Sequence, residues 1–255
     1  MTHRFFIAPE CISAPSVVLQ GDTAHQISAV LRMQPGDEIE ALDNSGQVYR
    51  VKLAAVNRTK VTGQIITRQL ADTEPAVELT LYQGTLKAQK FEWVLQKGTE
   101  LGVSRFVPTI CQRSVAQNYE TLLKKRIRWQ TIIREAAEQS RRGRLPTLSA
   151  PMLFSEALSE STRLPLILMP WEEAGQNSLD TALTQAKPVS KIGIFIGPEG
   201  GFSPDEAALA RQNGAQVITL GPRIMRAETA GLAICAAILY ALGEWTTRQP
   251  LDSHK

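Results

Sequence analysis

Histidine and cysteine are both scarce in this chain of 255 residues, three of each. Cys11, Cys111 and Cys235 are odd in number and far apart, so they suggest neither a disulfide framework nor a zinc site. Two of the histidines, His3 and His254, lie near the chain ends, and His25 stands alone. That leaves little material for a Ser-His-Asp triad or a histidine metal cluster, and hydrolysis by those routes drops out. No Gly-x-Gly-x-x-Gly occurs, and no Gly-Lys-Ser/Thr follows the one glycine-rich segment, so the usual nucleotide fingerprints are missing. The longest apolar stretch, Gly231 to Gly243, falls short of the ~20 residues that span a bilayer. No N-terminal segment has the charged-then-apolar build of a secretory signal. The expectation is a cytoplasmic enzyme with no metal and no membrane partner.

Hydrophobic residues make up 43% and charged residues 21%, an ordinary globular balance. The length suits two unequal cores better than one. The net charge of +3 conceals an uneven distribution. Residues 1–72 carry seven Lys/Arg against seven Asp/Glu, whereas Lys87 to Arg144 hold thirteen basic and five acidic residues. From 145 onward there are eight basic and eleven acidic residues. A basic zone inside a near-neutral chain suits a phosphate backbone, because each neutralised phosphate releases counterions. A solvated helix face would give the same clustering.

The first seventy residues read mostly as strands. Arg4 to Ile7 begins extended, Asp22 to Met33 has helical spacing, and Glu38 to Leu42, Gln47 to Val56 and Lys60 to Gln69 are separated by turn signals at Asn44-Ser45-Gly46 and Asn57-Arg58. Short sequential strands imply a small antiparallel sheet or barrel. Asp72-Thr73-Glu74-Pro75 reads as a linker, which predicts domains at 1–72 and 73–255. Beyond it strand and helix alternate. The strands are Val77 to Gln83, Arg105 to Ile110, Leu164 to Met169, Ile192 to Ile196 and Val217 to Leu220. The helices are Phe91 to Leu101, ended by Gly102, then Leu122 to Ser140, Pro204 to Asn213 and Glu228 to Leu242. The pattern predicts an α/β domain with a mostly parallel sheet covered by helices.

Ligands of such sheets sit outside the carboxyl ends of the strands, and two ends here are informative. Ile194-Phe195-Ile196 runs into Gly197-Pro198-Glu199-Gly200-Gly201-Phe202-Ser203-Pro204. Ser203 suits an N-cap and Pro204 the first helical position. A tight strand-to-helix turn accounts for those two residues but not for a glutamate among three glycines. Glu199 would repel a polyphosphate, and it tolerates better a ligand that is cationic at its reacting centre, such as a sulfonium. The second end is Leu220-Gly221-Pro222-Arg223-Ile224-Met225-Arg226-Ala227-Glu228-Thr229-Ala230, with two arginines three apart before a small-residue helix. A solvated loop before a capped helix is the alternative. Two glycine-containing loops at neighbouring strand ends, one acidic and one basic, favour a shared pocket.

These two segments closely resemble the RsmE family, ribosomal RNA small-subunit methyltransferases of the SPOUT superfamily. So do Phe91-Glu92-Trp93, Gly98-Thr99-Glu100-Leu101-Gly102-Val103, Gln112-Arg113-Ser114 and Glu135-Ala136-Ala137-Glu138-Gln139-Ser140, and the likeness covers nearly the whole chain. Met225 stands where the family often has Leu, a swap of similar volume. The resemblance implies an N-terminal PUA-like β-barrel for RNA and a C-terminal α/β-knot domain with a deep trefoil knot. It implies a homodimer and the cofactor S-adenosyl-L-methionine, held by the knot loops. It further implies methylation of N3 of a uridine, the position designated m3U1498, in 16S ribosomal RNA of the small subunit.

N3 lies on the pairing edge of uracil and carries a proton, so the base must be turned out and the proton lost. Arg226 and Arg223 are the candidates to stabilise the developing anion. Glu199, Glu172 or Glu228 could accept the proton, directly or through water. The candidate cofactor residues are Met169, Gly197, Pro198, Glu199, Gly200, Gly201, Leu220, Gly221, Ile224, Met225, Arg226, Thr229 and Ala230. The candidate RNA contacts are Arg4, Arg32, Lys87, Lys90, Lys97, Arg113, Arg134, Arg141 and Arg142. Two rival readings stand beside this one: an α/β enzyme using Gly197 to Gly201 as a phosphate loop, and a non-catalytic RNA-binding assembly factor.

Overall fold

A computed structural model of the chain describes residues 2–246. His254 and the last residues of the range expected for the second domain lie outside them. Two compact units are present, one of residues 2–74 with 130–146, the other of residues 75–129 with 147–246. Segment 130–146, which the linker argument put with the second domain, belongs to the first unit.

The first unit is built on a six-stranded mixed sheet. Its strands are β1 (His3–Phe6), β2 (Ile12–Ser13), β3 (Ser16–Gln20), β4 (Glu38–Leu42), β5 (Gln47–Val56) and β6 (Lys60–Leu70), in the order β1-β4-β5-β6-β3-β2. Only β1 and β4 run parallel. The period-2 geometry of a strand sends successive side chains to opposite faces. Phe5, Ala41 and Tyr49 therefore join one buried cluster with Val17, Leu19 and Leu53, while Phe6, Leu42 and Val48 join another with Ala137. The helical spacing after Asp22 resolves into α1 (Gly21–His25) and a π-helical turn, Gln26–Val30, which bury Ala24 and Ile27. Strands β2 and β3 went unread, being short and interrupted by Ala14-Pro15.

Beyond the apolar contact of Ala137, polar groups tie 130–146 to this sheet. Arg142 is buried, and its guanidinium donates to Glu74 from Nε at 2.9 Å and from Nη2 at 2.7 Å. The amides of Gly143 and Arg144 donate to the same carboxylate. Arg134 donates to the Phe6 carbonyl at 2.8 Å, and the Phe6 amide donates to Glu138 at 3.0 Å.

The second unit follows the predicted alternation. Its elements are β7 (Glu78–Gly84), α2 (Ala88–Leu101), β8 (Arg105–Ile110), α3 (Tyr119–Gln139, whose last residues belong to the first unit), β9 (Thr147–Leu148), β10 (Met152–Leu153) and α4 (Phe154–Ser161). Then come β11 (Leu166–Pro170), α5 (Leu179–Ala186), β12 (Lys191–Ile196), α6 (Pro204–Gln212), β13 (Gln216–Ile218) and α7 (Ala227–Ala241). The sheet is parallel throughout, in the order β10-β8-β7-β12-β11-β13 with β9 beside β8. Strands β7 and β12 are buried along nearly their whole length because helices cover both faces. At their centre Tyr82 stacks on Phe195 with centroids 4.3 Å apart. Gly102 ends α2 in the left-handed region at φ +112°, as its position in the sequence implied. Helices α4 and α5 were not anticipated. No helix among the described residues is long and apolar enough to cross a membrane, and no group of three His, Cys, Asp or Glu among them could hold a metal ion.

Candidate active site

Because β11, β12 and β13 are parallel neighbours, their carboxyl ends open on one side of the sheet. The loops that follow them enclose a cavity of about 490 Å³ and an adjoining one of about 570 Å³. The first is lined by Gly197 to Phe202, by Met225 to Glu228 and by Lys90. The second is lined by Trp171, Gly175 and Thr219 to Arg223. Pro170, Glu172, Ile224, Met225 and Ala230 border both.

The glycine loop is held from several directions. Ser203 caps α6: its Oγ accepts from the Glu206 amide at 3.1 Å, and Glu206 Oε2 accepts from the Ser203 amide at 2.9 Å. The other oxygen of buried Glu206 accepts from the Gln112 amide at 2.8 Å. Arg113 donates to the Gly200 carbonyl at 3.2 Å, and Glu199 accepts from the Lys87 amide at 3.0 Å. Gly201 has φ +67°, and a Cβ there would lie 3.1 Å from Glu172 Oε1. At Gly84, the last residue of β7, a Cβ would come within 2.5 Å of the Pro198 nitrogen and 2.7 Å of the Gly197 carbonyl carbon. The two backbones touch there, which only glycine permits.

The second loop is more open. The Gly221 amide donates to Thr219 Oγ1 at 3.1 Å, and Gly221 sits at φ +97°. Ile224 is 89% exposed, a bare apolar side chain over the cavity mouth. Arg223 and Arg226 are exposed, and neither side chain makes a hydrogen bond or ion pair among the described residues. Arg226 is the N-cap residue of α7, so its carbonyl accepts from Thr229 and Ala230 while its side chain stays outside the helix. Glu228, in the first turn of α7, pairs with Lys90 at 3.0 Å, and its Oε2 is buried without a hydrogen-bond partner among the described residues. Burial alone would raise the Glu228 carboxyl. Its own backbone amide, Lys90 and Arg226 together hold it below the ordinary range.

Of the predicted site residues, Arg226, Arg223, Glu199 and Glu172 line the cavities, as do Gly197, Pro198, Gly200, Gly201, Leu220, Gly221, Ile224, Met225 and Ala230. Two do not. Met169 is wholly buried among Tyr82, Phe195 and Trp171, and its neighbour Pro170 forms the wall instead. Thr229 points to solvent, since one helical residue on from Glu228 turns the side chain away. Among the wall residues that sequence reading missed are Pro170 and Trp171, the two residues just beyond the apolar run that was its only signal, and Lys90, which was read as an RNA contact.

The candidate RNA residues divide similarly. Arg32, Lys87, Arg113 and Arg141 are exposed, Arg32 and Arg141 at positive φ. Arg142 is a correction: it is buried and committed to Glu74, so no phosphate reaches it. Arg4 is little exposed and donates to Glu40 at 2.9 Å, which removes it on the same ground. Lys97 pairs with Glu100 at 2.7 Å and lies over the Trp93 ring, and Arg134 is held by Phe6.

Comparison with known proteins identifies the family. A profile described as an RNA methyltransferase domain matches residues 73–239, and one described as an RNA methyltransferase PUA domain matches residues 19–66. The ribosomal RNA small subunit methyltransferase E of Bacillus subtilis is 34% identical over 246 residues, covering 93% of this chain and 96% of that protein. The protein of the same name from Synechocystis is 34% identical over 240 residues, covering 93% and 77%. The Neisseria gonorrhoeae enzyme of that name, solved with S-adenosyl methionine bound, superposes with a TM-score of 0.85 at 30% identity over 96% of this chain and 100% of its own. A Legionella pneumophila methyltransferase solved with the same cofactor gives 0.83 at 27% identity, covering 94% and 98%. With its two strand-end loops, its PUA match and these relatives, the chain belongs to the ribosomal RNA small subunit methyltransferase E family.

Proposed function

We propose that this protein uses S-adenosyl-L-methionine to methylate N3 of one uridine of 16S ribosomal RNA, m3U1498, within the small ribosomal subunit. The observation that carries the reading is the convergence of the Gly197 to Ser203 and Thr219 to Arg226 loops on one pair of adjoining cavities. The residues fit the cofactor. Pro170, Trp171, Ile224 and Met225 offer apolar surface to adenine, and the glycine backbone allows close approach. Glu172 and Glu199 favour a cation, and no lysine is placed in the glycine loop for a polyphosphate.

When bound, the cofactor supplies a sulfonium methyl, whose carbon bonds N3 as the carbon–sulfur pair stays on sulfur. The chain's own task is to present N3 in line and to favour its anion. Arg226 and Arg223, exposed beside the cavities, hold the uracil oxygens as charge develops. The N3 proton passes to water, directly or through Glu172, Glu199 or Glu228. Lys87, Arg113, Arg32 and Arg141 serve as backbone contacts that position the RNA.

The finer architecture belongs to the same proposal: a PUA-like barrel built on 1–72, a trefoil-knotted domain within 73–255, a homodimer and a cytoplasmic location. The abutment of Gly84 on Gly197 and Pro198 supports a chain threaded tightly at this point. Exposed Tyr240, Trp245 and Trp93 support a second subunit on the α7 side. The test is transfer of labelled methyl from S-adenosylmethionine to small subunits from cells lacking the protein, with the nucleotide mapped. Label on N3 of a single uridine is expected, and no label on intact subunits refutes the assignment.

A further inference from the structure

Lys90 is the one basic residue of the predicted RNA set that the fold places in the wall of the first cavity alongside Arg226. It stands in the first turn of α2, a turn with no acidic residue, where the positive end of the helix disfavours a cation. The ammonium is drawn inward by Glu228, 3.0 Å away in the first turn of α7. Two helix starts, α2 and α7, thus contribute wall residues to one cavity, together with the Arg226 guanidinium. Glu228 Oε2, buried and accepting no hydrogen bond among the described residues, leaves this carboxylate only partly satisfied by Lys90.

We propose that Lys90 is a catalytic residue, its ammonium donating to a uracil carbonyl oxygen as N3 becomes anionic, with Glu228 as the positioning residue that holds it in the cavity. The inference rests on the uridine-N3 reading above. Loss of the N3 proton spreads negative charge over N3 and both flanking oxygens. Arg223 borders only the adjoining cavity, whereas Arg226 and Lys90 reach the first one from different elements, so that within it the two side chains can meet both oxygens. Lys90 keeps its protons: the N3 proton goes to water, the N3 lone pair bonds the methyl carbon, and the carbon–sulfur pair remains on sulfur. Fixed donors aimed at developing charge act without reorganisation, and deletion of one costs about 10²-fold in turnover.

The experiment uses whole small subunits and compares wild type, Lys90→Met and Lys90→Arg. Lys90→Met is expected to lose about 10²-fold in kcat, to keep its S-adenosylmethionine affinity, and to need higher pH for the same rate. Lys90→Arg is expected to recover most of the rate. On subunits reconstituted with 5-fluorouridine RNA, whose N3–H is more acidic, the Lys90→Met defect should shrink. The opposite result is a raised KM and a salt slope reduced by about one, with kcat and pH profile unchanged, the signature of a phosphate contact. That outcome overturns the inference and leaves the parent reading intact, as does a loss of cofactor affinity or equal defects in both variants. If the wild-type enzyme places no methyl on uridine N3, both fall together.

Discussion

Replacing Gly84 by alanine tests whether the abutment of β7 on the glycine loop sets cofactor affinity. The added methyl would meet the Pro198 nitrogen at 2.5 Å, the Gly197 carbonyl carbon at 2.7 Å and the Ile196 carbonyl oxygen at 2.9 Å. Comfortable contact lies near 3.5–4.0 Å, so the two backbones must part by about 1 Å. They cannot do so freely. Pro198 accepts from the Gly201 amide at 2.9 Å, Glu199 is tied to Lys87, and Gly200 to Arg113. Overpacking of this kind costs about 1–3 kcal/mol, and for a protein of this size ~2 kcal/mol lowers Tm by roughly 4–8 °C. The displaced residues are the cavity wall, so Kd for S-adenosylmethionine should rise at least about tenfold, the equivalent of ~1.4 kcal/mol. Gly193→Ala is the control: in β12 its methyl would meet the end of the Leu164 side chain at 2.8 Å and the Tyr82 ring at 3.3 Å, side chains rather than backbone and away from the cavity. Calorimetric titration beside thermal unfolding reads both effects. Wild-type cofactor affinity in Gly84→Ala, or the same loss in Gly193→Ala, would refute the argument.

Alanine at Lys87 or Arg113 should each reduce the slope of RNA affinity against salt by about one, whereas Arg4→Ala should leave that slope unchanged; equal slopes for all three would remove the assignment. The Glu74 carboxyl is raised by burial but pulled lower overall by the Arg142 bonds and charge and by the Gly143 and Arg144 amides, ending below its ordinary 4.5. A depressed carboxyl contributes stability in full above the unfolded value, lost as pH falls through the folded one. Acid unfolding monitored by circular dichroism should therefore begin at higher pH and lose its steepness below 4.5 in Glu74→Gln. For Arg142→Met, removing one partner of a buried pair should cost about 3–5 kcal/mol at neutral pH. Burial pushes the Cys111 thiol far up and the Cys235 thiol up to about 12. Iodoacetamide on the native protein should leave both unlabelled, which mass spectrometry of digests would check.

Much of this protein is legible one residue at a time. Strands β4, β5 and β8 stand where alternation and turn residues put them, because the pleat repeats every two residues and Asn44-Ser45-Gly46 can only turn. The Ser203-Pro204 start of α6 and the Gly102 end of α2 are local backbone chemistry, and they follow from local sequence. So does the chemistry of the two loops, since a glutamate among glycines and two arginines three apart need no fold to be noticed. The fold alone decided which side chains share a cavity. Met169 and Pro170 are adjacent in sequence, yet one is core and the other wall, a distinction set by where the sheet ends. Arg142, Arg113 and Lys90 are alike as letters in one basic stretch. One is buried on Glu74, one clasps the glycine loop, and one turns into the cavity toward Glu228. Charge is a property of the residue, but its partner is chosen by segments far along the chain, and only folding brings those together.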